Sequence, residues 1–197
     1  CAKHFPGHGD TDQDSHETLP VISHSRKRLN EIELKPFNYL INNGLGSIMT
    51  AHLFIPSLDS KEKTPISLSR KVVTDLLCED LGFKGLKFTD GLNMKAVSDL
   101  YDPGDLDVKA LIAGNDVLLC AEDVPRAVKK IKEAIQSEKI SQIEIDQKCK
   151  RILVAKQWMQ LDNFTPLNIE IIEDSLITSK TLEINAKLVK SSITLLQ

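Results

Sequence analysis

Residues 3–16 of this 197-residue chain read Lys-His-Phe-Pro-Gly-His-Gly-Asp-Thr-Asp-Gln-Asp-Ser-His, four imidazole or ammonium groups and three aspartates in fourteen positions. Little in this run can drive packing, and Gly7 and Gly9 permit unusual backbone angles, so a plain solvated loop accounts for it poorly. Two chemistries fit. His4, His8, Asp10, Asp14 and His16 could supply ligands to a metal such as zinc. Alternatively, Asp14 and His16, two apart in a turn, could form an acid/base pair, the carboxylate reaching one imidazole nitrogen. Such an anion stabilises the imidazolium and fixes the tautomer, giving a group that donates and then accepts a proton. Asp90 is a second centre. It ends the apolar run 85–90 and precedes Gly91-Leu92-Asn93-Met94, a turn into the next helix. A carboxylate at a strand tip can serve as a nucleophile, or can simply cap the helix that follows.

Such groups need a frame, and the chain alternates strand and helix patterns. Short apolar runs at about 2–5, 47–52, 85–90 and 116–120 read as buried parallel strands. Between and after them come helical stripes: Val72, Val73, Leu76 and Leu77 with Ser69 as N-cap and Gly82 as stop, and Val124, Ala127, Val128, Ile131, Ala134 and Ile135. Pro36 fits the first turn of a helix over 35–43. A longer helix over 142–160 would turn Ile145, Cys149, Ile152 and Met159 inward. Strands alternating with helices mean an α/β fold with a parallel sheet.

An open doubly wound sheet and half of a (β/α)8 barrel compete for this pattern. No GxGxxG follows a strand. Lys3 and His4, His52, and Asp90 each end a strand, and barrels gather their chemistry at C-terminal strand tips. The expectation is therefore the C-terminal half of a TIM-type barrel, four βα units spanning 1–161. Residues 162–197 read as a linker through Thr165-Pro166 and the start of a following domain, with a helix over 183–192. Residues 1–5 read like a strand interior, and the far end stops in an apolar run (Ile193, Leu195, Leu196). Both ends look cut, as in a segment of a longer protein.

Composition narrows the function classes. With 25 Lys+Arg against 28 Asp+Glu the formal charge is −3, and the cations are interspersed with acids, so no basic stripe marks a nucleic-acid surface. The longest apolar runs, such as 117–121, are far too short to span a bilayer. Cys1, Cys78, Cys120 and Cys149 are scattered without a CxxC pair and read as small buried apolar residues. His24 reads as exposed and without a role. His52 is balanced between lining a pocket and a structural part. Asp99, Asp102, Asp105 and Asp107 read as a solvated loop around Pro103-Gly104, and Trp158 as packing.

Residues 3–16 resemble the KHFPGHGDTxxDSH signature of bacterial β-N-acetylglucosaminidases of glycoside hydrolase family 3. Residues 88–94, Phe-Thr-Asp-Gly-Leu-Asn-Met, are similar to that family's nucleophile motif, and residues 49–52 and 113–119 to its later barrel strands. The resemblance covers about 1–161, and 185–197 is similar to the start of the α/β sandwich domain of two-domain members. It implies that Asp90 is the nucleophile, that His16 is the acid/base residue and that Asp14 orients it. It also implies that Lys3 and His4 hydrogen-bond the sugar, with His52 and Met94 as further substrate contacts. Gly91 stands where many relatives carry Asp, so contacts from a neighbouring carboxylate would be missing. No metal or organic cofactor is required on this reading. The expected partner is a β-N-acetylglucosaminide, with neither nucleic acid nor a membrane span involved. A preceding half-barrel and a following domain would complete the protein, and open sheet edges could dimerise. The alternatives are a non-catalytic folding unit and a metal-dependent hydrolase built on the His/Asp loop.

Overall fold

The computed structural model describes residues 1–61, 63–166, 168, 169, 172 and 176–194. Leu195 and Leu196 of the apolar far end lie outside the described residues. The chain divides into two units, Cys1–Lys156 and Gln157–Gln197.

The first unit is built on four parallel strands, β1 (Ala2–Phe5), β2 (Ser47–Thr50), β3 (Leu86–Gly91) and β4 (Val117–Leu119), lying side by side in chain order. Each strand pairs with its sequence neighbour, for example Thr50 with Thr89 and Gly91 with Leu119. A sheet that advances one strand at a time without reversing direction is the progression of a barrel wall; doubly wound sheets reverse at a switch point.

Helices make the return crossings. After β1 come α1 (Arg26–Glu31), whose first turn is capped by the Ser25 hydroxyl, and α2 (Leu34–Asn42) with Pro36 in its first turn. A wide, π-type helix, α3 (Lys71–Asp80), links β2 to β3 and buries the stripe Val72, Val73, Leu76 and Leu77. A short α4 (Lys95–Ser98) and α5 (Asp105–Ala113) precede β4, and α6 (Val124–Gln136) and α7 (Gln142–Trp158) follow it. Phe5 of β1 sets its ring edge-on to Phe37 of α2 at 5.2 Å, inside a core shared with Ile48, Leu53, Leu76 and Phe83. In the second unit α8 (Ser179–Ser192) starts at a Thr178 cap, four residues before the expected helix.

Several expectations are corrected here. Cys1, Cys120 and Cys149 are exposed and Cys78 is only half-buried, all four as free thiols. Cys120 leaves β4 with φ 51 and turns outward, and Cys149 sits beside the inward positions of α7. On α6 only Ala127 and Ala134 are buried, while Val124 and Val128 face solvent. On α7 the buried position is Lys148, and Met159 lies past the helix end, exposed. Asp107 is also buried: its Oδ2 accepts from the Gly104 N–H and closes the first turn of α5. Burial raises its carboxyl above the ordinary value despite that bond.

Candidate active site

β1 delivers Lys3 and His4, and Pro6 and Gly7 then turn the chain into the loop that carries the other imidazoles. Gly7 has φ 137, and a Cβ there would come within 2.9 Å of Glu33 Cβ, so glycine lets the loop lie against α2. His8 Nε2 is 3.2 Å from the Oγ of buried Ser15, which ties the loop's two arms together. The carbonyl of Asp14 accepts from the N–H groups of Glu17 and Thr18, closing a turn. That turn lets one carboxylate oxygen of Asp14 hold His16 twice, from the backbone N–H at 2.9 Å and at ring Nδ1 at 2.8 Å. These bonds, backbone first, keep the Asp14 carboxyl below its ordinary value. With Nδ1 engaged as donor, Nε2 is the free atom of the ring.

Asp90 stands on β3, one residue before its end. Its Oδ1 accepts from the Gly91 N–H at 2.9 Å, and its Oδ2 lies 3.7 Å from His4 Nε2. Partial burial lowers His4 below its ordinary 6.5, and Asp90 offsets only part of that effect. Neutral His4 therefore faces the carboxylate as a hydrogen-bonding group. Lys3, His4, His8, Asp14, His16 and Asp90, with Gly9 and Ser15, line one open cleft of about 630 Å³. The volume is that of a small-ligand site, about 300–1,000 Å³.

His52 and Met94, expected as substrate contacts, are both buried, and neither is among the residues that line this cleft. β2 ends at Thr50, so His52 turns inward and is fully buried. Its Nε2 donates to the Gly91 carbonyl at 3.0 Å and its Nδ1 accepts from the Ser67 hydroxyl at 2.7 Å. It thereby holds the Gly91–Leu92 peptide, one residue past Asp90. Met94 is buried in the turn, its N–H bonded to the Gly91 carbonyl. Ser67 also belongs to a network that spacing gave no sign of. Asn115 Nδ2 donates to the Ser67 and Ala110 carbonyls, and Asn115 Oδ1 accepts from the Thr50 hydroxyl.

The loop's acids and imidazoles do not converge on a single metal position. Asp10 turns away from the cleft and pairs with His24 Nε2 at 2.5 Å, so His24 is half-buried and engaged where it was expected free. Among the described residues Asp10, His24 and Glu33 are the group of three ligand-type side chains that come together. Arg28 already occupies that spot, 3.1 Å from Glu33 and 3.6 Å from Asp10.

Burial also makes His52 a pH-dependent element. Desolvation holds it below 6.5 in the folded protein, whereas the unfolded chain protonates near that value. The unfolded state therefore binds the extra proton, so stability is full above about 6.5 and falls as pH drops toward the folded value. Urea unfolding at pH 7.5 and pH 5.5 should show this loss. His52→Leu should cost about 1–3 kcal/mol at pH 7.5 by leaving the buried Ser67 hydroxyl without its acceptor, while flattening the acid slope. A slope unchanged in that variant would remove His52 as its source.

A parallel sheet in barrel order, with carboxylate, imidazole and ammonium groups meeting at its C-terminal strand tips, defines a TIM-barrel-type α/β enzyme domain. The chain matches the family described as glycosyl hydrolase family 3 N terminal domain over residues 1–155, and it belongs to that family. It is 34% identical over 173 residues to a protein named beta-hexosaminidase A of Pseudoalteromonas piscicida, covering 78% of this chain and 29% of that protein. It is 35% identical over 136 residues to a beta-hexosaminidase of Neisseria meningitidis, covering 68% of this chain and 36% of that protein. The solved glycoside hydrolase family 3 beta-N-acetylglucosaminidase of Paenibacillus sp. str. FPU-7 superposes with TM-score 0.90 at 37% identity, over 99% of this chain and 37% of that one. The chain thus spans about a third of the length of these relatives.

Proposed function

We propose that the full-length protein containing this chain removes β-linked N-acetylglucosamine by a retaining mechanism, on peptidoglycan fragments or similar glycans. The observation that carries this reading is the single cleft lined by both the Asp90 carboxylate and the Asp14-held imidazole of His16. Asp90 attacks the anomeric carbon while His16 Nε2–H protonates the departing oxygen. Water then releases the sugar, with His16 returning as base. The usual design pairs two carboxylates about 5–5.5 Å apart. A neutral imidazole base adds no second negative charge beside Asp90 and so avoids like-charge repulsion. Lys3 and neutral His4 are suited to hold sugar hydroxyls, since both offer N–H donors at the cleft wall.

Initial rates of the full-length protein on p-nitrophenyl β-N-acetylglucosaminide and β-glucoside test the substrate assignment. The N-acetyl substrate should turn over faster by about 100-fold or more. Preference for the glucoside would overturn the reading. β1 and β4 lie at the two margins of the sheet, so the 197-residue chain assayed alone should be inactive.

A further inference from the structure

At the opposite end of the sheet, where β3 and β4 begin, lies a second cavity of about 390 Å³ between α3, α5 and α7. Three residues along β3 separate Lys87 from Asp90, a distance of roughly 10 Å, so this cavity is distinct from the cleft. Its wall carries Arg70, Lys84, Lys87, Lys148 and Arg151, five cations, with Glu144 as the carboxylate at its edge.

The innermost of these charges are out of balance. Asp116 is buried and accepts from Lys87 Nζ at 2.8 Å and from Arg151 at 2.6 and 3.0 Å. Burial works against its charge, but the Arg151 bonds and Lys87 outweigh it and hold the carboxyl below its ordinary value. One carboxylate thus already serves two cations. Lys148, only 8% exposed, adds a third, and its Nζ donates to a neutral acceptor, the Asn115 carbonyl at 2.7 Å. Among the described residues it has no carboxylate within ion-pair distance. An ammonium has three donors, so Lys148 keeps two for something else. Burial, with Lys87 and Arg151 adding to it, pushes its amine down to about 8. Buried cations in excess of their counter-charges are costly unless an anion joins them.

We propose that this cavity binds a phosphate-class oxyanion, held by Lys148, Lys87 and Arg151 and approached past Arg70. Several N–H donors converging from different elements suit a tetrahedral, multiply charged acceptor. The cavity is also large enough for a phosphate monoester.

Calorimetric titration of the full-length protein with inorganic phosphate, and separately with glycerol phosphate, should give saturable binding of one anion per chain at constant ionic strength. Lys148→Met replaces the amine by an apolar group of similar length and should weaken that binding about tenfold or more. Arg70→Gln, at an exposed position, should weaken it less and keeps the test valid if the first variant folds poorly. Glycoside hydrolysis without added phosphate should be the same in both variants. A monoester that binds more tightly than phosphate identifies an organic phosphate as the occupant; equal affinities identify free phosphate. Absence of saturable binding, equal binding in the variants, or the same heats from potassium chloride would overturn the proposal.

Discussion

Asp90→Ala in the full-length protein should lower kcat on p-nitrophenyl β-N-acetylglucosaminide by on the order of 10⁴–10⁶, because the other carboxylate of the cleft, Asp14, is engaged by the His16 backbone and ring. The fold and folding stability should survive. Asp90 is only partly buried, its Oδ1 bonds the adjacent Gly91 N–H, and neutral His4 stands 3.7 Å from its Oδ2. The loss is therefore chemical. Added azide should restore turnover in this variant and give the α-glycosyl azide, since a small anion entering from the vacated side inverts the carbon once. A 2-deoxy-2-fluoro sugar bearing a good leaving group should label Asp90 in the native enzyme, because the fluorine slows release of the covalent intermediate more than the assay can miss. Label on any other residue would remove Asp90 from the nucleophile role.

His16→Ala should produce a different signature. On substrates with poor leaving groups the expected loss in kcat is about 10²–10⁴, the range of one positioned acid/base group. On 2,4-dinitrophenyl glycosides, whose leaving group departs unprotonated, the first step should be nearly normal. Release of the sugar would then become limiting, so a burst of phenolate should precede a slow steady state. Asp14→Asn keeps the turn but exchanges the anion for a neutral amide at Nδ1. It should fall between His16→Ala and the native enzyme, shifting the pH profile of kcat as well as its height. The geometry supports this gradation, since a single Asp14 oxygen holds both the His16 backbone and its ring. Equal losses on both leaving-group classes would show that His16 only shapes the site. Both side chains of the pair are well exposed, so neither substitution should disturb the core.

Much of this arrangement is legible from residue order. The period of the apolar positions located the four strands to within one or two residues, because buried parallel strands are short and nearly uncharged. Asp14 and His16 could be paired from their spacing, since a turn brings side chains two apart onto one side. What spacing could not reveal is how a strand end twists. β2 stops at Thr50, and that places His52 inside the protein as a brace on the Gly91 carbonyl rather than in the cleft. His24 was likewise opaque, because its partner Asp10 lies fourteen positions away across a loop. On α7 helical periodicity held at Ile145, which packs against Leu111 and Ile140, but missed at Cys149 for a related reason. The surface that α7 meets is polar, presenting Asp116 and the Asn115 carbonyl, so a lysine is buried where an apolar residue was expected.

By itself, then, the order of residues determined the strand–helix alternation, the barrel order and the chemical inventory of the loop, all properties set by neighbours along the chain. Only the tertiary structure decided that His16 and Asp90, 74 positions apart, border one cleft, that His52 and Met94 are buried against the Gly91 carbonyl, and that Lys87 and Arg151 share Asp116 while Lys148 is buried beside them on the Asn115 carbonyl. Those are encounters between distant segments. Their energy depends on burial and on which groups share it, and that is fixed when the sheet packs against its helices.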